Sequence, residues 1–280
     1  MVNLFKSIFR RKSGYGISIL VPFRCPDETN QRAIIWKWVR QYWEHHLPDA
    51  EIVMGVDPVS EADPSIPFSK SAAINAAAAI AKGDVFVIVD ADGIIEIPSV
   101  ILCAENIRKA RRKHHKLWYI PYRHFFRLNQ KAAQIVLASS PTDPYQFGKP
   151  PDPSFIQNTQ GSQYGHWFGA MIQIMPREAF FEVGGWDPRF RGWGGEDSSA
   201  LRAMDTLYSP HKTVSAQVLH IWHPMLSTEG ARAWVEWKER VWAGQTTHSD
   251  NSKLSGEYYA ANGNYGRMRK LLDEGLKSSY

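Results

Sequence analysis

The stretch "KSAAINAAAAIAKGDVFVIVDADG", residues 70–93, decides the fold. An alanine-rich run with helical spacing is predicted to stop at Gly83 and to lead into an apolar strand that ends in Asp90, Ala91, Asp92 and Gly93. A helix feeding a buried strand is half of a βαβ unit, and the other half lies just upstream. "ISILVPF" (residues 17–23) is a short β-rich apolar run. "RAIIWKWVRQYWEHH" (residues 32–46) then repeats Ile35, Trp38 (or Val39) and Tyr42 at helical spacing. "AEIVMGVD" ends a second strand at Asp57. The order β-α-β-α-β predicts a parallel sheet with helices packed on it, and such sheets bind ligands beyond the carboxyl ends of their strands. Asp57 and Asp90 lie at those ends.

Downstream, "SVILCAENIRKARRK" reads as a helix, "KLWYIPY" as a strand and "RLNQKAAQIVLAS" as a helix. Residues 140–165 are rich in Pro, Ser, Gly and Gln and read as a long loop or a lid facing the substrate. "FGAMIQIMP" resumes strand character, and "REAFFEVGG" is a short helix ended by glycine. "VSAQVLHIWHP" precedes a Trp-rich amphipathic helix at residues 231–242. The expected division is a basic tail (1–14), an α/β domain (15–226) and a helical C-terminal extension (227–280).

A chain of 280 residues with 44% hydrophobic and 22% charged residues can bury a substantial core. Its mean hydropathy of -0.36 argues against a membrane-embedded protein. No secretory signal opens the sequence, so a cytoplasmic location is expected. Cys25 and Cys103 are too few for a disulfide framework and read as reduced thiols. The net charge of +5 is uneven: "FKSIFRRK" is basic, and residues 106–142 hold many Lys and Arg with no Asp or Glu. Such a distribution invites an anionic partner or simply keeps the surface soluble. Phe5, Ile8 and Phe9 among the bases would let residues 1–12 touch a membrane surface. No nucleic-acid-binding motif accompanies the pI of about 9.1, so a nucleic-acid partner is not expected.

Four places carry candidate chemistry. Asp90 and Asp92 could approach a common divalent cation, although aspartates at strand ends also make turns. "LHIWHP" offers His220 and His223 as imidazole ligands beside an apolar strand. In "RGWGGEDSSALRAM" (residues 191–204) glycines precede Glu196 and Asp197 at the start of a helix. Those carboxylates could cap the helix or project into a cleft, and the Trp193 indole beside them suits a sugar ring. Arg24, at the end of the first strand, suits a phosphate or a base.

Together these stretches resemble the GT-A glycosyltransferases of the broad family 2 type, most closely the β-1,4-galactosyltransferases and the catalytic domains of polypeptide N-acetylgalactosaminyltransferases. The likeness runs from about Ile17 to Pro224 and is most specific in "FGAMIQIMPREAFFEVGGWDPRFRGWGGEDSSALRAM". It implies a Rossmann-like, mainly parallel sheet flanked by helices. It also implies a UDP-sugar donor carrying galactose, N-acetylgalactosamine or glucose, a Mn²⁺ or Mg²⁺ cofactor, and a glycan, glycolipid or cell-wall polymer as acceptor. Carried over by position, it gives Pro22, Phe23, Arg24, Asp57, Asn75, Asp90 and Ala91 to the nucleotide. Asp92 and His220, with His223 as the alternative, go to the metal, and Trp193, Gly194, Gly195 and Glu196 to the sugars. Asp197, with Glu196 beside it, would be the catalytic base of an inverting reaction. The retaining relatives carry Glu-Asn at this place. A retaining transferase and a non-catalytic sugar-nucleotide module on the same fold are the competing expectations.

Overall fold

A computed structural model describes residues 16–24, 28–63, 65–157, 171–224 and 247–277. The basic tail, the far end of the proline-rich loop and the Trp-rich helix expected at 231–242 lie outside the described residues. Strand β1 (Ile17–Pro22) is buried along its whole length. Helix α1 (Gln31–His46) follows; the Asn30 side chain accepts the Arg32 amide at its start, and Ile35, Trp36, Trp38, Val39, Tyr42 and Trp43 are buried. The apolar face read from the sequence is thus the one that packs. Strand β2 (Glu51–Gly55) leads into a short helix, α2 (Pro58–Ala62), which the sequence reading did not foresee. Its signal was present: Asp57 caps it and Pro58 takes the first-turn position that proline tolerates.

Helix α3 (Lys70–Ile80) and strand β3 (Val85–Val89) are the elements expected from the opening stretch, with one correction. The helix ends at Ile80 rather than Gly83, because the Ala81 amide closes it on the Ala77 carbonyl. Gly83 does other work. A Cβ there would collide with Ser18, whose hydroxyl accepts the Gly83 amide at 2.6 Å, so glycine lets the turn pass tightly under β1.

The chain continues through β4 (Gly93–Ile95), α4 (Ile97–Arg111), β5 (Tyr119–Ile120), β6 (His124–Arg127) and α5 (Gln130–Ala138). It resumes with β7 (Ile172–Pro176), α6 (Arg177–Val183), α7 (Glu196–Leu207), β8 (Lys212–Thr213) and β9 (Gln217–His220). The strand expected from "KLWYIPY" shrinks to β5, cut short by Pro121, which has no amide to give a ladder. Two helices, α8 (Thr247–Ala261) and α9 (Tyr265–Lys277), pack on α7 and on each other.

The main sheet has the order β2-β1-β3-β7-β5-β8. β2, β1 and β3 are parallel, as the βαβ reading requires, whereas β7 runs antiparallel to both β3 and β5. The sheet is therefore mixed. β7 is reached by a long excursion instead of a crossover helix, so nothing forces it to run parallel. The excursion contributes β4 and β6 to a second sheet, β4-β9-β6, which β9 completes from beyond β7; β4 is antiparallel and β6 parallel to β9. β1 and β3 are buried on both faces, as expected of central strands covered by helices. No described helix is long and apolar enough to cross a membrane.

Candidate active site

The second sheet assembles the metal-ligand candidates. Gly93, at the start of β4, pairs with His220, the last residue of β9, and the Ile221 amide donates to the Asp92 carbonyl at 2.9 Å. This pairing draws the Asp-Ala-Asp turn against the late histidines. His223 Nε2 lies 3.0 Å and His220 Nε2 3.8 Å from Asp92 Oδ2, and the ligand atoms of all three residues fall within 4.8 Å of one another. The two histidines left open by the sequence therefore both belong to the cluster. Burial alone would push the Asp92 carboxyl up. His220, His223 and Arg32, whose guanidinium is 3.8 Å away, instead hold it well below the usual carboxylate range. Burial pushes the His220 imidazole down and Asp92 pulls it back, with burial the larger effect. An ionised carboxylate and two imidazoles form a mixed oxygen and nitrogen set suited to a first-row divalent ion. The buried Nδ1 of His220 has no hydrogen-bond partner among the described residues.

Beside this cluster lies a charged group that the sequence reading missed. Lys70 Nζ is 2.6 Å from Asp90 Oδ1 and 2.7 Å from Asp197 Oδ1, so one ammonium links two carboxylates. Lys70 opens α3, where the helix dipole disfavours a cation, and the two anions compensate for that placement. The same anions drive its pKa up against the effect of burial. One cation cannot neutralise two carboxylates. Burial pushes Asp197 up, Lys70 pulls it back, and Glu196 and Asp90 push it further, to about 8. Asp197 is in the first turn of α7, but a dipole contribution of about 0.3–1 kcal/mol is less than a tenfold change in acidity and cannot offset this rise. The Asp197 side chain remains 21% exposed, enough for a hydroxyl to reach it.

The loop before α7 presents the aromatic. Trp193 is 54% exposed, and Gly194 and Gly195 hold φ of 103° and 91°, a left-handed geometry that turns the chain sharply into the helix. Glu196 begins α7 and lines a small cavity with Trp186, Ser199 and Tyr258; its Oε2 is buried without a hydrogen-bond partner. Met171, just before β7, adopts φ of 70°, unusual for a side chain of its size, and its carbonyl accepts the Asp90 amide at 2.9 Å.

Two residues assigned to the nucleotide are committed elsewhere in this structure. Asp57 has a fully buried side chain that accepts the Ser69 amide at 2.9 Å and pairs with Arg191 Nη1 at 3.0 Å, bracing the Trp193 loop from below. Burial raises the Asp57 carboxyl, but its hydrogen bonds and Arg191 bring it below the ordinary range. Asn75 spends both ends of its amide on the Trp186 main chain, at 2.7 and 2.9 Å. In these contacts both residues support the loops around the site. Pro22 ends β1, Phe23 packs on Trp36 at 6.0 Å, half-buried Arg24 follows, and Ala91 is buried in the turn between the two aspartates.

The family model described as the N-terminal domain of galactosyltransferase matches residues 156–205, a segment that contains Trp193 to Asp197. The sequence resemblance to the glycosyltransferases holds. No curated protein matches the chain. Among solved structures, the catalytic domain of Drosophila β1,4-galactosyltransferase 7 with xylobiose is 14% identical, with a TM-score of 0.38 and 79% of each chain covered. A mutant of that enzyme with manganese, UDP-Gal and xylobiose gives 14% identity, a TM-score of 0.37 and the same coverage. GalNAc-T7 with UDP, GalNAc and Mn²⁺ is 14% identical, with a TM-score of 0.40, 77% of this chain covered and 45% of the other.

Proposed function

We propose that the chain is a metal-dependent, inverting glycosyltransferase that moves a hexose or N-acetylhexosamine from a UDP-sugar to an acceptor hydroxyl. The observation that carries this reading is Asp197: a carboxylate with its pKa near 8, open to an incoming hydroxyl and linked through Lys70 to the turn that carries Asp92. A base poised near neutral pH is well matched to taking a proton during attack. Asp197 would accept the acceptor's hydroxyl proton as that oxygen bonds to the anomeric carbon and the bond from that carbon to the diphosphate oxygen breaks. Attack on the face opposite the leaving group inverts the centre. Asp92, His220 and His223 would hold Mn²⁺ or Mg²⁺, which supplies a positive charge for the departing diphosphate. Trp193 would stack on the acceptor sugar, and Arg32 and Lys70 add positive charge near the donor.

A glycan, glycolipid or cell-wall polymer is the acceptor class proposed. A cytoplasmic location with residues 1–12 resting on anionic lipid is part of the same reading and draws on the basic, aromatic composition of that segment. Removing residues 1–12 should abolish co-sedimentation with phosphatidylserine vesicles; unchanged sedimentation counts against that contact. The stereochemical claim is tested by proton NMR of the first-formed product. An anomeric coupling opposite to that of the donor supports inversion, and retention sinks Asp197 as the base.

A further inference from the structure

We infer that Asn251, on the C-terminal helix α8, is a positioning residue for the Trp193 loop, which makes the helical extension a working part of the acceptor site. The acceptor role of that loop rests on the function proposed above; the clamp itself rests on geometry. Asn251 is 2% exposed. Its Nδ2 donates to the Arg191 carbonyl at 2.8 Å and the Trp193 carbonyl at 3.3 Å, while its Oδ1 accepts the Arg191 amide at 3.4 Å. The loop lies directly on the helix, since a Cβ on Gly195 would sit 3.0 Å from Ser255 Cβ and 3.3 Å from the Asn251 carbonyl. From the other side the Gly192 amide donates to the Phe68 carbonyl at 2.8 Å, and the Arg191 guanidinium holds Asp57 and the Pro67 carbonyl.

The clamp falls where the backbone most needs one. Gly192, Gly194 and Gly195 all have positive φ, and glycines lose more conformational freedom on ordering than any other residue. Between Gly192 and Gly194, Trp193 presents an indole that is 54% exposed. Fixing the carbonyls on either side of Gly192 fixes the direction in which that indole leaves the chain. The galactosyltransferase match ends at residue 205, so the clamp is supplied by a part of the chain outside it.

The test compares wild type with Asn251→Asp and Asn251→Ala. The aspartate keeps the size of the side chain but removes both donors and sets a carboxylate oxygen against two carbonyls. Amide exchange should quicken at least about tenfold at residues 192–195 and stay unchanged at residues 85–95. With an acceptor in hand, kcat/KM for it should fall about 10–100-fold, the scale of a misplaced binding group, while the affinity for UDP and Mn²⁺ stays put. Unchanged exchange at the loop in both variants overturns the proposal. So does a uniform loss of protection together with UDP affinity, which would make Asn251 a stability residue only. Should the wild type transfer no sugar at all, the functional reading fails, and the exchange pattern still judges the clamp.

Discussion

Lys70 and Asp197 meet in one contact of 2.7 Å, on which the proposed chemistry turns. If Asp197 is the proposed base it acts ionised, so kcat/KM should rise with pH, reach half its plateau near pH 8 and level off above it. Replacing Lys70 with Met removes the cation that holds Asp197 down, so the rising limb should move to higher pH; a limb that stays in place contradicts the assignment. The stability consequence has the opposite sense. The folded chain keeps a proton on Asp197 that the unfolded chain gives up near pH 4, so this group's contribution is fully present below about pH 4. It is lost as pH climbs through about 8. Asp197→Asn should flatten that part of a denaturation profile while lowering turnover by about 10²–10⁴-fold. At the metal cluster, His220→Ala and His223→Ala should each weaken Mn²⁺ binding by at least about tenfold, read by the free-Mn²⁺ signal in electron paramagnetic resonance. Equal affinity in either variant would remove that histidine from the ligand set.

Elements explain what was legible in the sequence and what was not. α1 and β3 stood out because burial on one helical face, or on both faces of a strand, leaves an apolar pattern that needs no tertiary knowledge. β6 did not, since "HFFR" is short and neither alternates cleanly nor sits between turn residues. The reversal of β7 was equally hidden, because strand direction depends on the route of the intervening chain. Site residues divide in the same way. Asp92 and the Gly-Gly-Glu-Asp run were visible as motifs, whereas Lys70 was hidden in a helix start and becomes functional only through distances across the fold. Asp57 was visible, but its cap and its Arg191 partner were not: a strand-end aspartate can face a ligand or turn inward, and the Asp-Pro pair was the clue to the cap. The buried Asp57–Arg191 pair joins β2's exit to the Trp193 loop. Asp57→Asn should cost about 1–3 kcal/mol in urea unfolding, because it removes the charged partner of Arg191, which is 23% exposed and keeps the Pro67 carbonyl. A small loss of stability with a large loss of UDP affinity would return Asp57 to the nucleotide.

Across the whole molecule, a parallel half-sheet, a smaller second sheet and a C-terminal helical pair converge on one edge. The first brings Asp90, the second brings Asp92 to His220 and His223, and α7, backed by α8 and α9, presents Asp197 while the loop before it presents Trp193. Each part supplies a different portion of a transfer reaction. In the proposed transfer, the carboxylates at Asp92 and Asp197 would be needed for different reasons, one for the donor's leaving diphosphate and one for the acceptor's proton. The most direct measurement is release of UDP from a panel of UDP-sugars with Mn²⁺ and an acceptor mixture, comparing wild type with Asp92→Asn and Asp197→Asn. The account predicts turnover with one donor, loss of both UDP binding and turnover in Asp92→Asn, and retained UDP binding without turnover in Asp197→Asn. Full turnover in either variant, or a wild type that binds no UDP-sugar, would contradict it.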